Sequence, residues 1–544
     1  MTGRWWQDAV FYQVYPRSFA DSNGDGIGDL RGLIGRLDYL STLGVDAIWL
    51  SPFFPSPKKD WGYDVADYRG VDADYGSLVD AQALVASAHD RGIRVILDLV
   101  VNHSSDEHPW FKAGSASKDA PEHDYYIWKP LEGKRPNNWV CLFEQGSAWF
   151  PNPPTGERYL GTFTRFQPEF NWREGRLRAE IYGVMRHWLD LGFDGFRLDV
   201  ATAYIKDELF RSNPFSLNIV PDLLQRHVYD RNRPEVHEIF REMRALTGDE
   251  RVLVGETYGP DPALAAACYG RGDELHLAFD FELLDAKWSA GAFRSAVERW
   301  YAALPEGAWP VITLSNHDRP RHAWRYRGRS VRETEERAKV AAACLLTLRG
   351  TPFLYYGEEI AMGCRRIPRA RLRDPLGIKT WPLGFLGRDP ERTPMQWSSK
   401  PGAGFSSRVG AASGDDRSGI GSTGVPEPWL PLNPDWRDRN VEVQLRDSAS
   451  VLSRYRELTA LRRAHAALRQ GDIRFLDGGR DLLVFERRTS DEVLLVALNF
   501  ASRSRAFDLD RQATILLGDA DRPARVGPGS VGLRSLETMV MKLS

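Results

Sequence analysis

The chain has 544 residues, with 72 basic and 74 acidic side chains, and it is rich in aromatic groups. Such a length exceeds one ordinary hydrophobic core, so we expect a large domain with smaller attachments. The balanced charge argues against a nucleic-acid or anionic-membrane surface as the main partner. No apolar run approaches the roughly 18 residues of a membrane span, and "MTGRWWQDAV" lacks the layout of a secretory signal. Four widely spaced cysteines predict neither a zinc site nor a disulfide framework, so we expect a cytoplasmic protein.

Short apolar runs alternate with amphipathic stretches along most of the chain. Strands are predicted at 9–16, 45–52, 93–103, 195–200, 251–257, 274–281, 309–318 and 351–359, and helices at 29–44, 78–92, 177–192, 234–247, 293–304, 331–348 and 450–468. The third strand, "IRVILDLVVNH", is apolar on both faces, which is typical of a parallel strand covered by helices. Eight strands, each followed by a helix or by an insertion and a helix, predict an α/β fold of the (β/α)8 TIM-barrel type.

Two irregular stretches and a change of rhythm divide the chain. The stretch 104–170 is rich in Pro, Trp, Asn and Gly with no clear helix, and a second one, from 361 to about 445, is dense in Arg, Pro and Gly. From 470 onward, short runs such as "LLVFERR" and "VLLVALNF" with turns between them predict an antiparallel β-sandwich. The first part of the barrel is predicted at 1–103 and an inserted domain at 104–170. The second part of the barrel is predicted at 171–469 and a C-terminal domain at 470–544.

The segment "DSNGDGIGDL", residues 21–30, places Asp or Asn oxygens at alternate positions between glycines. Its start resembles the EF-hand pattern D-x-[DN]-x-[DN]-G, but the twelfth position is Gly32, where an EF-hand needs a bidentate Glu. The residues alone leave two interpretations open, a metal loop or a turn that caps the next helix through Asp29, and they favour the turn.

Polar side chains collect at the C-terminal ends of four predicted strands. Loops at these ends share one open mouth in a barrel of this type, which is where its chemistry is found. A single Asp there has a simple explanation as the N-cap of the following helix. Three carboxylates on different strands, with an Arg and two His, are hard to explain as caps and indicate an active site. The residues are Asp98, Asn102, His103, Arg197, Asp199, Glu256, Asn316, His317 and Asp318.

Seven short motifs carry a family resemblance. In chain order they are "KDWGYDVADY" (59–68), "DLVVNH" (98–103), "QPEFNW" (167–172), "GFRLDV" (195–200), "VGET" (254–257), "SNHD" (315–318) and "ERTPMQW" (391–397). With these motifs the chain resembles the α-amylase family of glycoside hydrolases over almost its whole length. The first and last motifs are similar to those of the oligo-1,6-glucosidase and α-glucosidase branch. Each motif alone is weakly specific, whereas the ordered set is strongly specific.

The resemblance implies a retaining glycosidase that works through a pair of carboxyl groups about 5–5.5 Å apart. Matched position by position, Asp199 is the nucleophile, Glu256 is the general acid and later the base, and Asp318 holds the 2- and 3-hydroxyls of the sugar. Arg197 lies on the same strand face as Asp199 and is expected to lower the pKa of that carboxyl. Glu256 must keep its proton, which requires a drier or more negative setting.

Further side chains are expected around the sugar in subsite −1. The resemblance implies that His103 and His317 donate hydrogen bonds to the glucosyl unit and that Tyr63 stacks beneath it. Asp98 is expected to be mainly a structural partner of the site. A strand-end His taken alone is more often structural, but each of these adjoins a motif Asn or Asp.

A charged wall is the feature that bears most on substrate choice. The resemblance implies that Asp60 and Arg392 enclose the 4- and 6-hydroxyls of the terminal sugar, with Phe163 and Gln167 as further wall residues. Such a wall leaves no room for another sugar beyond the 4-hydroxyl. The enzyme is therefore expected to remove glucose from chain ends.

The resemblance also bears on the segment 21–30, because oligo-1,6-glucosidase relatives hold one Ca2+, or Mg2+, with this pattern after the first strand. The ion would be structural, with no catalytic role, and no organic cofactor is implied. Its implied ligands are the side chains of Asp21, Asn23, Asp25 and Asp29 and the carbonyl of Ile27.

Val200 follows the implied nucleophile and bears on specificity. In similar enzymes a Val here accompanies acceptance of α-1,6 links, although Val is also an ordinary barrel residue. We therefore expect a broad α-glucosidase acting on small α-glucosides such as maltose, isomaltose or sucrose. Glu169 and Phe170 stand where relatives often carry Asp and Leu, so "QPEFNW" does not define the specificity.

Two alternatives stay open from the sequence. A transglucosylase, trehalose synthase or isomaltulose-type isomerase would share the glucosyl-enzyme and differ only in whether water or a sugar hydroxyl resolves it. A non-catalytic transporter-subunit relative would lack the carboxylate set and carry a membrane span, unlike this chain. The oligomeric state and the identity of the ion are not predicted.

Overall fold

The computed structural model describes residues 4–217, 224–257, 259, 261–382, 387–406, 427–519 and 521–544. Its centre is a sheet of eight parallel strands: β1 (Phe11–Val14), β2 (Ala47–Leu50), β3 (Arg94–Leu99), β4 (Gly195–Leu198), β5 (Val252–Glu256), β6 (Leu277–Phe279), β7 (Val311–Thr313) and β8 (Thr351–Tyr355). The strand order is β6-β5-β4-β3-β2-β1-β8-β7, and β6 lies beside β7, which closes the cylinder. The predicted (β/α)8 barrel is confirmed.

Helices cover the outside of the barrel. Several begin at a serine whose hydroxyl accepts from the first turn, and Ser77 forms a reciprocal capping box with Asp80. The helices of ten residues or more are Leu78–His89, Gly175–Asp190, Val236–Thr247, Ala290–Ala303, Val331–Thr347 and Val451–Ala464. The shorter ones are Trp5–Asp8, Pro16–Phe19, Leu30–Ile34, Leu37–Leu43, Pro109–Ala116, Pro262–Ala267, Glu282–Asp285, His322–Arg325, Pro375–Lys379, Val441–Leu445 and Ala466–Gln470. None of the described helices is long and apolar enough to cross a membrane.

Two differences from the predicted elements have local causes. The helix predicted over 29–44 is two helices, because the chain leaves the helical conformation at Arg36, after Gly35 ends the first helix. The stretch 104–170 contains a helix, Pro109–Ala116, that the prediction missed, and a proline occupies its first turn.

The inserted stretch and the C-terminal part form small antiparallel sheets. Within the insertion, Trp128–Pro130, Glu157–Leu160 and Trp149–Asn152 form one sheet, and Val140–Cys141 pairs with Gly146–Ser147. In the C-terminal part, the six-stranded order is Asp472–Leu476, Leu482–Arg488, Val493–Asn499, Thr538–Leu543, Ala513–Leu517 and Arg525–Val526, while Arg505–Leu509 pairs with Gly529–Leu533. Residues 383–386 and 407–426 of the second irregular stretch, and 218–223, lie outside the described residues.

The barrel strands alternate between two apolar environments. Tyr12 and Val14 of β1 pack in the layer between sheet and helices, whereas Phe11 packs inside the barrel with Trp49, Val252 and other inward side chains. Successive strand residues point to opposite faces, so residues two apart share the barrel interior. Apolar residues fill the lower part of this interior, and polar residues follow them at the C-terminal ends.

Candidate active site

The period of two along β4 and β5 determines which polar groups enter the barrel mouth. Phe196 and Leu198 of β4 pack in the outer layer, so Arg197 and the following Asp199 point inward. On β5 the inward-facing Val252 and Val254 are followed, two residues on, by Glu256. The same register on β3 puts Asp98 two residues beyond the inward Ile96.

Arg197 brings three carboxylates together. Its Nη1 lies 2.8 Å from Asp98 Oδ1 and 2.5 Å from Asp199 Oδ1, and its Nη2 lies 2.6 Å from Glu256 Oε2. The backbone N–H of Val200 also donates to Glu256 Oε2, at 3.0 Å. Because one guanidinium contacts Asp199 and Glu256 together, their carboxylates face the same space.

Val200 adopts an unusual backbone conformation. Its φ of 36° and ψ of 44° lie in the left-handed region, where a β-branched residue is a genuine outlier. Such strain persists only where the surrounding structure imposes it and is common at functional sites. Here the left-handed turn aims the Val200 N–H at Glu256 immediately after Asp199.

Burial dominates the electrostatics of Asp199 and Asp98. Burial raises the pKa of Asp199, Arg197 lowers it, and Glu256 and Asp98 raise it further, so that the net shift is upward. Arg197 therefore lowers the pKa of Asp199 as expected, but burial outweighs this effect. Burial also raises the pKa of Asp98 to about 6. One guanidinium balances only one of three buried negative charges, so the cluster favours retention of a proton.

Asp318 has the opposite electrostatic setting. Burial raises its pKa, but the positive charges of Arg388 and Arg392 lower it, and the net shift takes it well below its ordinary range. Arg392 Nη2 lies 2.8 Å from Asp318 Oδ1, and Arg388 Nη1 lies 3.5 Å from the same oxygen. Asp318 is therefore a carboxylate with a fixed negative charge.

The two predicted histidines are neutral and hydrogen-bonded. Burial lowers the pKa of His317 well below its usual value and that of His103 to about 4. His317 Nδ1 lies 2.8 Å from Gln13 Nε2, and its ring is parallel to that of Tyr63 at 5.3 Å between centroids. The Tyr63 hydroxyl contacts His317 Nε2 at 2.6 Å and donates to Asp98 Oδ2 at 3.2 Å.

The charged wall contains an arginine, Arg388, that the prediction did not name. Asp60 contacts Arg388 rather than Arg392, with 2.5 Å between Arg388 Nη2 and Asp60 Oδ1. Arg388 Nε also lies 2.5 Å from Asp374 Oδ1, and Gln167 Nε2 donates to Asp60 Oδ2 at 3.1 Å. The wall is thus an alternating row of acid and base in which Arg388 stands between Asp60 and Asp318.

An aromatic edge joins the inserted stretch to this wall. The rings of Phe163 and His103 lie 5.2 Å apart, and those of Phe163 and Phe143 lie 6.1 Å apart. The Arg388 guanidinium lies 4.4 Å from the centre of the Phe143 ring. The predicted catalytic and substrate-binding residues therefore form one connected cluster, from Phe163 to Asp318.

Three members of this cluster were missed from the sequence. Arg388 and Asp374 come from an irregular stretch where no periodicity marks a position as inward-facing. Gln13 could have been identified from the sequence, because an amide within the apolar run "AVFYQV" indicates a buried polar group with a specific partner. The structure shows that Gln13 is buried.

The segment 21–30 folds as a network of turns ahead of a helix. Asp29 accepts from the Gly32 N–H at 2.7 Å and begins the helix Leu30–Ile34, as the capping interpretation predicts. Asp21 accepts from the N–H groups of Gly24 and Gly26, and Asp25 accepts from that of Ile27. Across the residues that the structure describes, no three Asp, Glu, His or Cys side chains converge on a point that could hold a metal ion.

Comparison with known proteins agrees with this geometry. Residues 13–471 match the family model described as the alpha amylase catalytic domain. The chain is 39% identical to a probable alpha-glucosidase of Rhizobium meliloti (strain 1021), in an alignment that covers 93% of this chain and 91% of that protein. It is 36% identical to an oligo-1,6-glucosidase of Parageobacillus thermoglucosidasius, over 99% of both chains.

Solved structures show the same relationship over the whole chain. The alpha-glucosyl transfer enzyme XgtA superposes with a TM-score of 0.90 at 37% identity and 100% coverage of both chains. The trehalulose synthase MutB from Pseudomonas mesoacidophila MX-45 gives 0.88 at 33% identity, again with 100% coverage of both. The chain therefore belongs to the alpha-amylase family of glycoside hydrolases and is an alpha-glucosidase-like member of it.

Proposed function

We propose that the protein is a retaining α-glucosidase that removes single glucosyl units from the non-reducing ends of short α-glucosides. The observation that carries this proposal is the contact of Asp199 and Glu256 with one guanidinium, that of Arg197, at the barrel mouth. Two carboxyl groups that face one space are the chemical requirement for double displacement.

The reaction has two steps on one anomeric carbon. Asp199 attacks the anomeric carbon while the bond between this carbon and the glycosidic oxygen breaks. Glu256 donates its own proton to the departing oxygen, which yields a glucosyl ester on Asp199 and a free alcohol. Glu256 then takes a proton from water as the water oxygen attacks the same carbon and the Asp199 carboxylate leaves. Two inversions release glucose as the α-anomer.

The contacts of Glu256 and the charge of Asp318 support this scheme. The first step needs one proton on Glu256 and none on Asp199, and the Val200 N–H and Arg197 both hold the Glu256 carboxyl in place. Asp318, with its low pKa, remains a carboxylate that accepts from sugar hydroxyls. A fixed negative charge also stabilises the developing oxocarbenium ion.

The exo mode of action follows from the wall. Asp60, Arg388, Asp374 and Asp318 form a row of paired charges, and Asp60 and Arg388 are buried. Charge-assisted hydrogen bonds from such groups hold the 4- and 6-hydroxyls of a terminal glucose, whereas an additional sugar on the 4-hydroxyl would clash with them. Val200 and the oligo-1,6-glucosidase relatives support isomaltose-type α-1,6 links among the substrates.

Glucosyl transfer is the second candidate, and structural similarity favours it. Two close neighbours are an alpha-glucosyl transfer enzyme and a trehalulose synthase, and a MutB variant in complex with sucrose superposes with a TM-score of 0.89. Transfer would use the same glucosyl ester and differ only in the acceptor. Hydrolysis and transfer are therefore distinguished by products and not by the first step.

A substrate panel tests the proposal. Maltose, isomaltose, sucrose and trehalose are each supplied alone to the parent and to Glu256→Gln, and all products are identified by chromatography. We expect glucose from at least one disaccharide, and a fall of about 10²- to 10⁴-fold in kcat for the variant. New disaccharides as the main products would favour transfer, and equal rates for parent and variant would contradict the role of Glu256.

We also propose that the segment 21–30 binds one structural Ca2+ (or Mg2+). The chemistry of the donors supports this, because Asp21, Asn23, Asp25 and Asp29 offer hard oxygens at close spacing in the chain, although the aspartate carboxylates would have to move together from the positions they take in this structure. Added Ca2+ should then raise the Tm by mass action, and Asp25→Asn, which keeps the turn but loses a charge, should weaken this response. A Tm that is equally insensitive to Ca2+ and to chelator in both proteins would refute the site.

A further inference from the structure

Lys206 is a buried cation beside the proposed site that the double displacement does not use. It follows β4 in the loop beyond Asp199, and only about 1% of its side chain is exposed. Its Nζ lies 2.6 Å from Glu169 Oε2, 2.6 Å from the carbonyl of Ala203 and 3.5 Å from Asn102 Oδ1. The ammonium thus joins the loop after β4, the inserted stretch and the end of β3.

Glu169 supplies the charge that balances this ammonium. Its side chain is as buried as that of Lys206, and its Oε1 accepts from the backbone N–H of Thr162 at 3.1 Å. A buried ion pair adds little stability beyond what well-packed apolar residues would give, because desolvation offsets the attraction. The pair therefore calls for an explanation other than stability, and its third contact, Asn102, provides one.

The ammonium determines the orientation of the Asn102 amide. Lysine can only donate, so it favours the carbonyl oxygen Oδ1 on its side, and the amide nitrogen Nδ2 must then face away. Nδ2 lies 3.2 Å from His103 Nδ1. An amide nitrogen can only donate, so Nδ1 of this neutral imidazole is the acceptor and its single proton lies on Nε2.

The other face of His103 agrees with this proton position. Nε2 lies 3.0 Å from the carbonyl oxygen of Tyr63, which can only accept. Gln167 Nε2 is also 3.0 Å from His103 Nε2, but both of its N–H groups have other acceptors, Asp60 Oδ2 at 3.1 Å and the Tyr63 carbonyl at 3.3 Å. The alternative tautomer would place two donors together at Asn102 and two acceptors together at Tyr63.

We propose that Lys206, balanced by Glu169, is a positioning residue that fixes the tautomer of His103 through Asn102, so that the single N–H of His103 lies on Nε2, where a bound glucosyl unit would share it with the Tyr63 carbonyl. This proposal rests on the proposed function for its effect on rate. The tautomer itself does not depend on that function and is measured separately. Neither Lys206 nor Glu169 touches the reacting atoms.

The direct test is the position of the His103 proton. Two-bond nitrogen–proton NMR correlations of 15N-histidine-labelled protein report which ring nitrogen is protonated, and His103→Gln identifies the signal. We expect Nε2–H in the parent and a shift of the proton toward Nδ1 in Lys206→Met and in the nearly isosteric Asn102→Asp, whose carboxylate can only accept. The parental pattern in both variants would overturn the proposal. Arg487→Met, which removes a buried cation at the C-terminal domain, should leave the signal unchanged.

A double-mutant cycle tests the consequence for catalysis. Lys206→Met should lower kcat/KM for a hydrolysed α-glucoside about 3- to 10-fold, as expected for one lost hydrogen bond between neutral groups. In the His103→Gln background the same change should cost less than about twofold, because the bond is already absent. Fully additive losses would overturn the positioning role. A parent that cleaves no α-glucoside would instead refute the proposed function and leave the tautomer result standing.

Discussion

Arg388 is the single residue on which the shape of the proposed sugar site depends most. It is buried and contacts three acidic groups, Asp60, Asp374 and Asp318. Because these acids converge on one guanidinium, its removal would leave their charges uncompensated as well as opening the wall.

Arg388→Ala should therefore weaken binding of the terminal glucose. We expect kcat/KM for maltose or isomaltose to fall about 10- to 100-fold, mostly through KM, since a charged hydrogen bond lost from substrate binding has this magnitude. Arg371→Ala is the matched control, because Arg371 lies in the same stretch but pairs with Glu427. A KM that changes equally in both variants would contradict the wall.

The residue scale also shows what could be predicted and what could not. Asp199, Glu256 and Asp318 were predictable because strand periodicity and strand ends fix their position in a barrel. Arg388 and Asp374 were not, because they lie in irregular chain whose path depends on tertiary contacts. The effect of Arg197 on the pKa of Asp199 was predictable from the strand periodicity, whereas the larger effect of burial was not, since burial is a property of the folded molecule.

Glu358 gives a pH-dependent prediction at the same scale. Burial raises its pKa to about 8, and its Oε1 accepts from the Tyr455 hydroxyl at 3.3 Å. The unfolded value is about 4.3, so the protonated form is favoured by folding. The contribution of Glu358 to the free energy of unfolding is therefore fully present below about pH 4.3 and is lost as the pH rises through 8.

Glu358→Gln should remove the loss of stability at high pH, because glutamine does not ionise. We expect the variant to be more stable than the parent at pH 9 by about 2–4 kcal/mol and no more stable at pH 4, as measured by urea unfolding. The exposed Glu306→Gln is the control and should show no such change with pH. A difference between Glu358→Gln and parent that is the same at both pH values would contradict the assignment.

At the scale of elements, the end of helix Val331–Thr347 joins the barrel to the C-terminal sheet. The last carbonyls of a helix lack partners within it. Arg487, from a C-terminal strand, donates to the Thr347 carbonyl at 2.6 Å and to that of Gly471 at 2.9 Å. Arg462 donates to the carbonyl of Gly350 at 2.8 Å, and both arginines are buried.

Arg487→Met should destabilise the protein without changing its chemistry. We expect the free energy of unfolding to fall by about 2–4 kcal/mol, because two buried carbonyls lose a charged donor. Arg487→Lys keeps one donor and should lose less. Urea unfolding and the initial rate on one disaccharide measure both effects, and a loss below about 0.5 kcal/mol would show that the carbonyls find other partners.

The predicted elements were right in type and wrong mainly at their ends. Strand β3 was predicted to reach His103 but ends at Leu99, although residues 100–103 are all buried. Apolar side chains indicate burial and not the hydrogen-bonded pairing of a strand. The apolar pattern therefore continues past the end of the strand into buried loop residues at the barrel mouth. The helix predicted over 29–44 likewise kept its apolar spacing across the break at Arg36.

At the scale of the whole molecule, the barrel joins distant sequence into one site. Alternate residues of β3 and β5 place apolar side chains low in the cylinder, and Asp98, Glu256 and the β4 residue Arg197 lie above them. The inserted stretch adds Phe163 and Gln167, and the chain after β8 adds Arg388 and Arg392. Parallel strands with shared C-terminal ends make this convergence a consequence of topology.

The central claim is that Asp199 and Glu256 act in succession on one anomeric carbon. Proton NMR of a cleaved disaccharide, followed from the first minutes before mutarotation, identifies which glucose anomer is released first. Double displacement predicts α-glucose, because two inversions restore the starting configuration. Initial release of β-glucose would mean a single inversion by water and would contradict the proposed glucosyl ester on Asp199.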